Sequence, residues 1–104
     1  MIVYVVRYYV DKGKEAEYAK WGTEVSLPYI RTVPGLKELR GYRNWVTGQV
    51  HVEYEFESYA AWAKYMEHPK TQELTERTKA LTHDITTEIL GPGLLTPEPI
   101  RPKT

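Results

Sequence analysis

The chain has 104 residues, and its 14 Lys and Arg balance 14 Asp and Glu, so the formal net charge is zero. This length predicts one domain, and the balanced charge argues against a nucleic-acid-binding protein, which would usually be basic. The absence of cysteine excludes disulfides and metal–thiolate sites. The apolar N-terminal run is interrupted by Arg7, which is unlike a signal peptide or a membrane span. We therefore expect a cytoplasmic protein with no membrane partner.

The N-terminal third predicts a strand and a helix. Ile2 to Val10 is rich in Val, Ile and Tyr and is largely apolar on both faces, as in a strand that is covered on both sides. A helix is expected from about Lys14, and Pro28 should kink it or end its regular part. Its apolar stripe, at spacings of three and four, consists of Tyr18, Trp21, Val25 and Tyr29.

A second strand is predicted after the stop at Pro34-Gly35, over Leu36 to Val46. Neither of its faces is cleanly apolar. The favoured facing puts Arg40, Tyr42 and Asn44 on the polar side. Gly41 would then allow a helix to pack closely on the other side.

The central strand is the segment Gln49 to Glu57, which reads QVHVEYEFE and alternates with a period of two. One face carries Val50, Val52, Tyr54 and Phe56. The other carries His51, Glu53, Glu55 and Glu57. The first face indicates where the core lies.

The C-terminal half predicts helices and a last strand. Ser58 is a suitable N-cap for a helix, which His68-Pro69 should break. A further helix is expected from Lys70 to about Leu81, and a strand from His83 to Leu90. The Pro-rich segment 91–104 is predicted to be an extended tail that follows a domain of residues 1–90. Its apolar side chains, expected to dock on a partner subunit or on the chain's own sheet edge, are Leu94, Leu95 and Ile100.

The order strand, helix, strand, strand, helix, strand predicts a ferredoxin-like α+β fold. Both helices would cover one face of a four-stranded antiparallel sheet. Val3, Val5 and Tyr9 would then lie on the uncovered face. A second copy of the same sheet would bury them, so we expect a homodimer, or a larger assembly of this chain. In that arrangement the row of His51, Glu53 and Glu55 would border the space between sheet and helices.

Four stretches carry a resemblance to a known superfamily: MIVYVVRYYVDKGKEAEYAKW, PGLKELRGYRN, the strand ending in FES, and YAAWAKYMEHPKTQEL. Together they resemble the dimeric α+β barrel proteins, in particular the antibiotic-biosynthesis-monooxygenase-like and NIPSNAP-like members. The resemblance spans about Ile2 to Leu90. It implies a dimeric α+β barrel. Members of this superfamily include cofactor-free oxygenases, haem-degrading enzymes and lactone isomerases.

Haem degradation is not expected from this resemblance. That branch uses an Asn on the first strand together with a Trp and a His. Trp62 and His68 are present, but the only Asn of the chain, Asn44, belongs to the second predicted strand. Trp62 is interpreted as a core residue of its helix. No cofactor is therefore predicted.

Two histidines are the candidate catalytic residues, because imidazole titrates near neutral pH. They are His51 and His68. The candidate ligand contacts are Arg7, Tyr42, Asn44, Trp45 and Glu53, with Tyr8 as a further aromatic wall. As alternatives, His68 could interact only with the helix dipole, and the His51–Glu53 row could pair only with nearby arginines. No metal site is predicted, since two ligands of mixed type are a weak pattern.

These features predict a small homodimeric protein that binds a small, partly aromatic molecule. The resemblance implies a cofactor-independent monooxygenase or isomerase. The alternative is a non-catalytic ligand-binding or assembly module, in which the arginines and glutamates satisfy one another. A deep, unfilled cleft favours the enzyme, and His51 and Glu53 held in ion pairs favour the module.

Overall fold

The computed structural model describes residues 1–103, which form four strands and four α-helices. The elements are β1 (Ile2–Val10), α1 (Glu15–Trp21), a π-helical turn (Gly22–Ser26), α2 (Leu27–Ile30), β2 (Leu36–Arg43), β3 (Val50–Phe56), α3 (Tyr59–Glu67), α4 (Pro69–Leu81) and β4 (Thr82–Leu90). The strands form one antiparallel sheet in the order β2-β3-β1-β4. The predicted ferredoxin-like α+β fold is confirmed. Across residues 1–103, no helix is both long enough and apolar enough to cross a membrane.

The core lies between the helices and the apolar face of β3, as the alternation predicts. Phe56 is completely buried there, 5.4 Å from the ring of Tyr65 on α3. Tyr4 of β1 belongs to the same cluster, and Trp62 packs against it at a ring distance of 5.9 Å. The interpretation of Trp62 as a core residue agrees with this packing.

The opposite face of the sheet carries the row of His51, Glu53 and Glu55. The expectation that this row borders the space between sheet and helices is wrong, because a strand has a period of two and the helices lie on the side of the sheet that carries Val50, Val52 and Tyr54. We call this opposite face the outer face. Val5 lies on the outer face, where it is paired with Glu53 of β3 on one side and with Glu88 of β4 on the other. Val5 is only 1 % exposed.

The first helical segment is interrupted by a π-helical turn, Gly22–Ser26. This turn inserts an extra residue, which rotates the following residues about the axis. As a result Val25, predicted as part of the apolar stripe, is 38 % exposed. Pro28 does not end the helix, which continues through α2 to Ile30. The π-helical turn directly precedes Pro28, and there the Leu27 N–H donates to the Gly22 carbonyl, five residues back.

Strand β2 ends at Arg43, three residues before the predicted end at Val46. The Asn44 side chain competes with the strand ladder, since its Oδ1 accepts hydrogen bonds from the backbone N–H groups of Val46 and Thr47 at 2.8 and 3.0 Å. The Asn44 N–H then donates to the Gln49 carbonyl at 2.8 Å, which closes the loop into β3.

The last two helices begin within one residue of the predicted positions. The Ser58 hydroxyl accepts a hydrogen bond from the Ala61 N–H at 3.1 Å, at the start of α3. His68 is extended, with ψ of 131°, and its Nδ1 accepts from the Lys70 N–H at 3.0 Å. The predicted break at His68-Pro69 is confirmed, and α4 begins at Pro69 because proline suits the first turn of a helix.

The segment after Leu90 contains no helix or strand as far as residue 103. Leu94, Leu95 and Ile100 are all exposed. The expectation that they dock on the chain's own sheet edge is therefore wrong, and docking on a partner stays a prediction. Of the predicted tail, residue 104 lies outside the described residues.

Candidate functional site

A cavity of about 760 Å³ separates the sheet from the helices. This volume falls in the range of ligand-binding pockets, about 300–1,000 Å³. Its sheet wall includes Tyr4, Val6, Tyr8, Leu39, Gly41, Arg43, Val50, Val52 and Tyr54. Its helical wall includes Tyr18, Trp21, Gly22, Ile30, Tyr65, Leu74, Thr75 and Thr78.

Two glycines keep this cavity open, one from each wall. A Cβ built on Gly41 of β2 meets no atom within 4 Å, and the same holds for Gly22 of the π-helical turn. Gly41 was expected to let a helix pack closely against the sheet. That expectation is wrong, since the space above Gly41 is unfilled.

The polar groups of the cavity are mainly phenols and threonine hydroxyls. The Tyr8 and Tyr18 hydroxyls lie 2.6 Å apart and form one hydrogen bond. Burial raises the pKa of Tyr8, and the neighbouring Tyr18 raises it further. Burial likewise raises the pKa of Tyr65 to about 12 and that of Tyr54 well above its ordinary value. Tyr8, Tyr54 and Tyr65 therefore stay protonated at neutral pH.

Four of the predicted site residues come together on the outer face, and of these only Tyr42 also lines the cavity. Arg7 Nε donates to His51 Nδ1 at 3.1 Å, and His51 Nε2 lies 2.8 Å from Glu53 Oε2. The Tyr42 ring is 5.7 Å from the His51 ring, edge-on. Because the Arg7 guanidinium can only donate, Nδ1 of His51 accepts this hydrogen bond, and Nε2 faces the Glu53 carboxylate. Arg7 also pairs with Glu88.

The other three predicted residues lie apart from this group and from the cavity. His68 caps α4 through its Nδ1, and its ring lies 5.7 Å from that of Tyr29. Asn44 closes the β2–β3 loop through its side-chain oxygen. Trp45 in the same loop is 92 % exposed. The seven residues thus do not form one site, and their catalytic and binding roles stay predictions.

The cavity residues that the sequence interpretation missed include Tyr18, Arg43 and Lys79. Leu39, Gly41 and Arg43 alternate along β2, and this period of two is the signal that would have grouped them on one face. Among residues 1–103, no His, Asp or Glu lines the cavity. Nor do three such side chains cluster anywhere in that range so as to hold a metal ion.

This fold is shared with proteins of known structure. A protein from Deinococcus radiodurans named for antibiotic biosynthesis monooxygenases superposes with a TM-score of 0.80 at 12 % identity, with both chains covered completely. SnoaB, a cofactor-independent oxygenase from Streptomyces nogalater solved as a point mutant, gives 0.76 at 14 %, covering 93 % of this chain and 97 % of that one. The fold is that of the antibiotic biosynthesis monooxygenase-like proteins.

A protein that is named for a different function has the same fold. An ethyl tert-butyl ether D family protein from Bacillus halodurans superposes with a TM-score of 0.65 at 14 % identity, covering 86 % of this chain and 96 % of that one. No protein-family model and no curated protein matches the sequence. At such identities the likeness establishes the fold, and the activity has to be argued from the site.

Proposed function

We propose that the cavity is the ligand site of a homodimeric α+β-barrel protein that acts on a small, partly aromatic molecule without a cofactor. The observation that carries this proposal is the open space of about 760 Å³ with aromatic walls and a few hydroxyl donors. The cytoplasmic location and the NIPSNAP-like relationship expected from the sequence stay part of it.

The proposed reaction is an oxygenation in which the substrate itself supplies the electrons. A ring methylene of a reduced polycyclic phenol reacts with O₂ to give a carbonyl and one molecule of water, so no external reductant is needed. The protein would orient the substrate, exclude water, and hydrogen-bond the oxygen on which negative charge develops. The Tyr8 and Tyr18 hydroxyls are suited to the last role, since they lie 2.6 Å apart in the cavity wall. An isomerisation would use the same groups.

The second candidate is a non-catalytic binding or assembly module. It is favoured by the His51–Glu53 and Arg7–His51 contacts, because these groups satisfy one another on the outer face. In this case the cavity would bind a ligand without changing it.

Filling the cavity should abolish the activity. We expect Gly41→Leu to remove oxygen uptake with a reduced polycyclic phenol, measured with an oxygen electrode, because its side chain would occupy open space. The matched control is Gly91→Leu, which makes the same change outside the cavity.

Oxygen uptake by the His51→Gln variant shows whether the reaction takes place in the cavity or on the outer face. If the reaction takes place in the cavity, this variant retains oxygen uptake while Gly41→Leu does not. Loss of uptake in His51→Gln with an unchanged assembly state would instead assign the reaction to the outer face. Ligand binding without any uptake across a panel of such phenols would favour the non-catalytic module.

Homodimerisation through the outer face is also proposed. Val3 and Leu90 are paired in the register of β1 and β4, and Leu90 is exposed, as are the three apolar tail residues. We expect sedimentation equilibrium at micromolar concentration to give the mass of two chains. Truncation after Gly91 should raise the dissociation constant at least about tenfold, since burial of two Leu and one Ile would contribute several kcal/mol before ordering costs. A monomer, or a truncated chain with unchanged dimerisation, would contradict these statements.

A further inference from the structure

The charged residues that line the cavity all have the same sign. Within the described residues they are Arg43 and Lys79, and no Asp or Glu accompanies them. The chain as a whole has equal numbers of basic and acidic residues. A lining with cations alone is therefore a local feature of the cavity, not a consequence of composition.

Arg43 lies at the end of a strand, and Lys79 lies at the end of the helix that leads into β4. Arg43 is the last residue of β2 and pairs in register with Val50, which in turn pairs with Tyr8 of β1. Lys79 lies in the last turn of α4, next to Ala80, whose carbonyl accepts a hydrogen bond from Lys14 Nζ at 3.0 Å. α4 leads directly into Thr82, which pairs with Val10 at the end of β1. Arg43 thus lies at the same end of the sheet as Tyr8, which forms the hydrogen bond with Tyr18.

Arg43 is available to bind an anion. Among residues 1–103 it makes no salt bridge and no side-chain hydrogen bond, whereas Arg40 on the same strand pairs with Glu38 at 3.0 Å. In the same range Lys79 pairs only with Glu76, at 3.3 Å and in an exposed i,i+3 contact. Such exposed pairs contribute little and are readily exchanged. The guanidinium of Arg43, by contrast, offers donors in a fork that matches an acidic group.

The remaining walls are neutral and leave a wide slot. Tyr8 and Tyr54 stay protonated at neutral pH because burial raises their pKa. Gly22 and Gly41 leave open space on the helical and the sheet wall, so aromatic rings can lie against backbone. Among the described residues, an acidic group on those rings would meet no acidic side chain in the cavity lining.

We propose that the cavity takes an aromatic acid, with its anionic group at Arg43 and its rings over Gly41. This inference rests on the proposed function of the cavity as the ligand site, and it names the ligand class. Arg43 is the residue that selects acids over neutral aromatics. Lys79 adds to the same positive potential.

Two dyes that share one skeleton test this inference on the full-length protein. Anilinonaphthalene sulfonate carries an anionic group, and phenylnaphthylamine is the same ring system without it. We expect the sulfonate to bind at least about tenfold more tightly in fluorescence titrations, since a hydrogen bond to a charged group contributes about that factor. Its affinity should fall with added salt, while that of the neutral dye should not.

Arg43→Gln should weaken sulfonate binding about tenfold and leave the neutral dye unchanged. The matched control is Arg40→Gln on the same strand, which should change neither affinity because Arg40 does not line the cavity. Gly41→Leu should weaken both dyes, which places the binding in the cavity.

The possible failures are distinguishable. If both dyes bind equally, and Arg43→Gln affects neither or both alike, the acid preference is wrong while the cavity remains the ligand site. If neither dye binds, or if Gly41→Leu affects neither, the cavity is not the ligand site, and the proposed function fails together with this inference.

Discussion

The Gly35→Ala variant is expected to lose about 2–5 kcal/mol of unfolding free energy. About 1–2 kcal/mol of this comes from left-handed backbone in a non-glycine residue, and about 1–3 kcal/mol comes from overpacking. Gly35 precedes β2 with φ of +80°. A Cβ at this position would lie 2.6 Å from the Ala61 Cβ on α3. The Gly35 carbonyl also accepts a hydrogen bond from the Glu57 N–H at 2.9 Å, so the chain cannot easily move away. Urea denaturation measures the loss.

Two further variants separate the contributions of strain and contact. Gly48 has the same φ of +80°, but a Cβ there meets nothing within 4 Å, so Gly48→Ala should lose only the backbone part, about 1–2 kcal/mol. Combining Gly35→Ala with Ala61→Gly removes the close contact. The double-mutant cycle should then give a favourable coupling of about 1 kcal/mol or more. Equal losses for Gly35→Ala and Gly48→Ala would contradict the packing argument.

The Phe56→Ala variant is expected to lose about 3–5 kcal/mol, because it leaves a cavity in the core. Phe56 is completely buried and packs against the rings of Tyr65 and Tyr54, at 5.4 and 6.5 Å. A small domain has a total stability of only about 5–15 kcal/mol, so much of it would be lost. The urea midpoint should fall while the slope of the transition stays unchanged.

The control for this variant is Tyr59→Ala, which also removes an aromatic ring. Tyr59 is 61 % exposed, although its ring lies 5.1 Å from that of Trp62. We expect a loss of about 1 kcal/mol, the size of one aromatic contact. If Phe56→Ala costs no more than this control, the core is not centred on the end of β3.

The proposed reaction and the proposed ligand class depend on one feature, the open space above Gly41. Gly41→Leu therefore tests both, while Arg43→Gln tests only the preference for acids. His51, Arg7 and Glu53 lie on the other face of the sheet and do not line the cavity. Its role in a homodimer and its role in chemistry are separated by measuring mass and oxygen uptake on the same His51→Gln preparation.

Much of the fold could be predicted from local patterns in the sequence. The period-two alternation in 49–57 identified the core face, and Ser58 and His68-Pro69 marked the ends of helices. These signals are short-range, because capping and alternation depend on residues a few positions apart. The early end of β2 at Arg43 was missed, since it depends on which hydrogen bonds the Asn44 side chain makes. Val25 was misplaced because the stripe assumed an uninterrupted α-helix, whereas a π-helical turn rotates that residue outward.

The sequence by itself determined the order of the strands, the face of β3 that packs on the helices, and the presence of arginine, histidine and glutamate on the other face. Only the tertiary structure decided that His51 contacts Arg7. The two residues are 44 positions apart in the chain, and the register of β1 and β3 brings them together. It also decided that the candidate ligand site lies on the apolar face. Alternation places Gly41 and Arg43 towards the helices, but the distance between helices and sheet is set by packing over the whole domain. That distance leaves a cavity where close contact was expected.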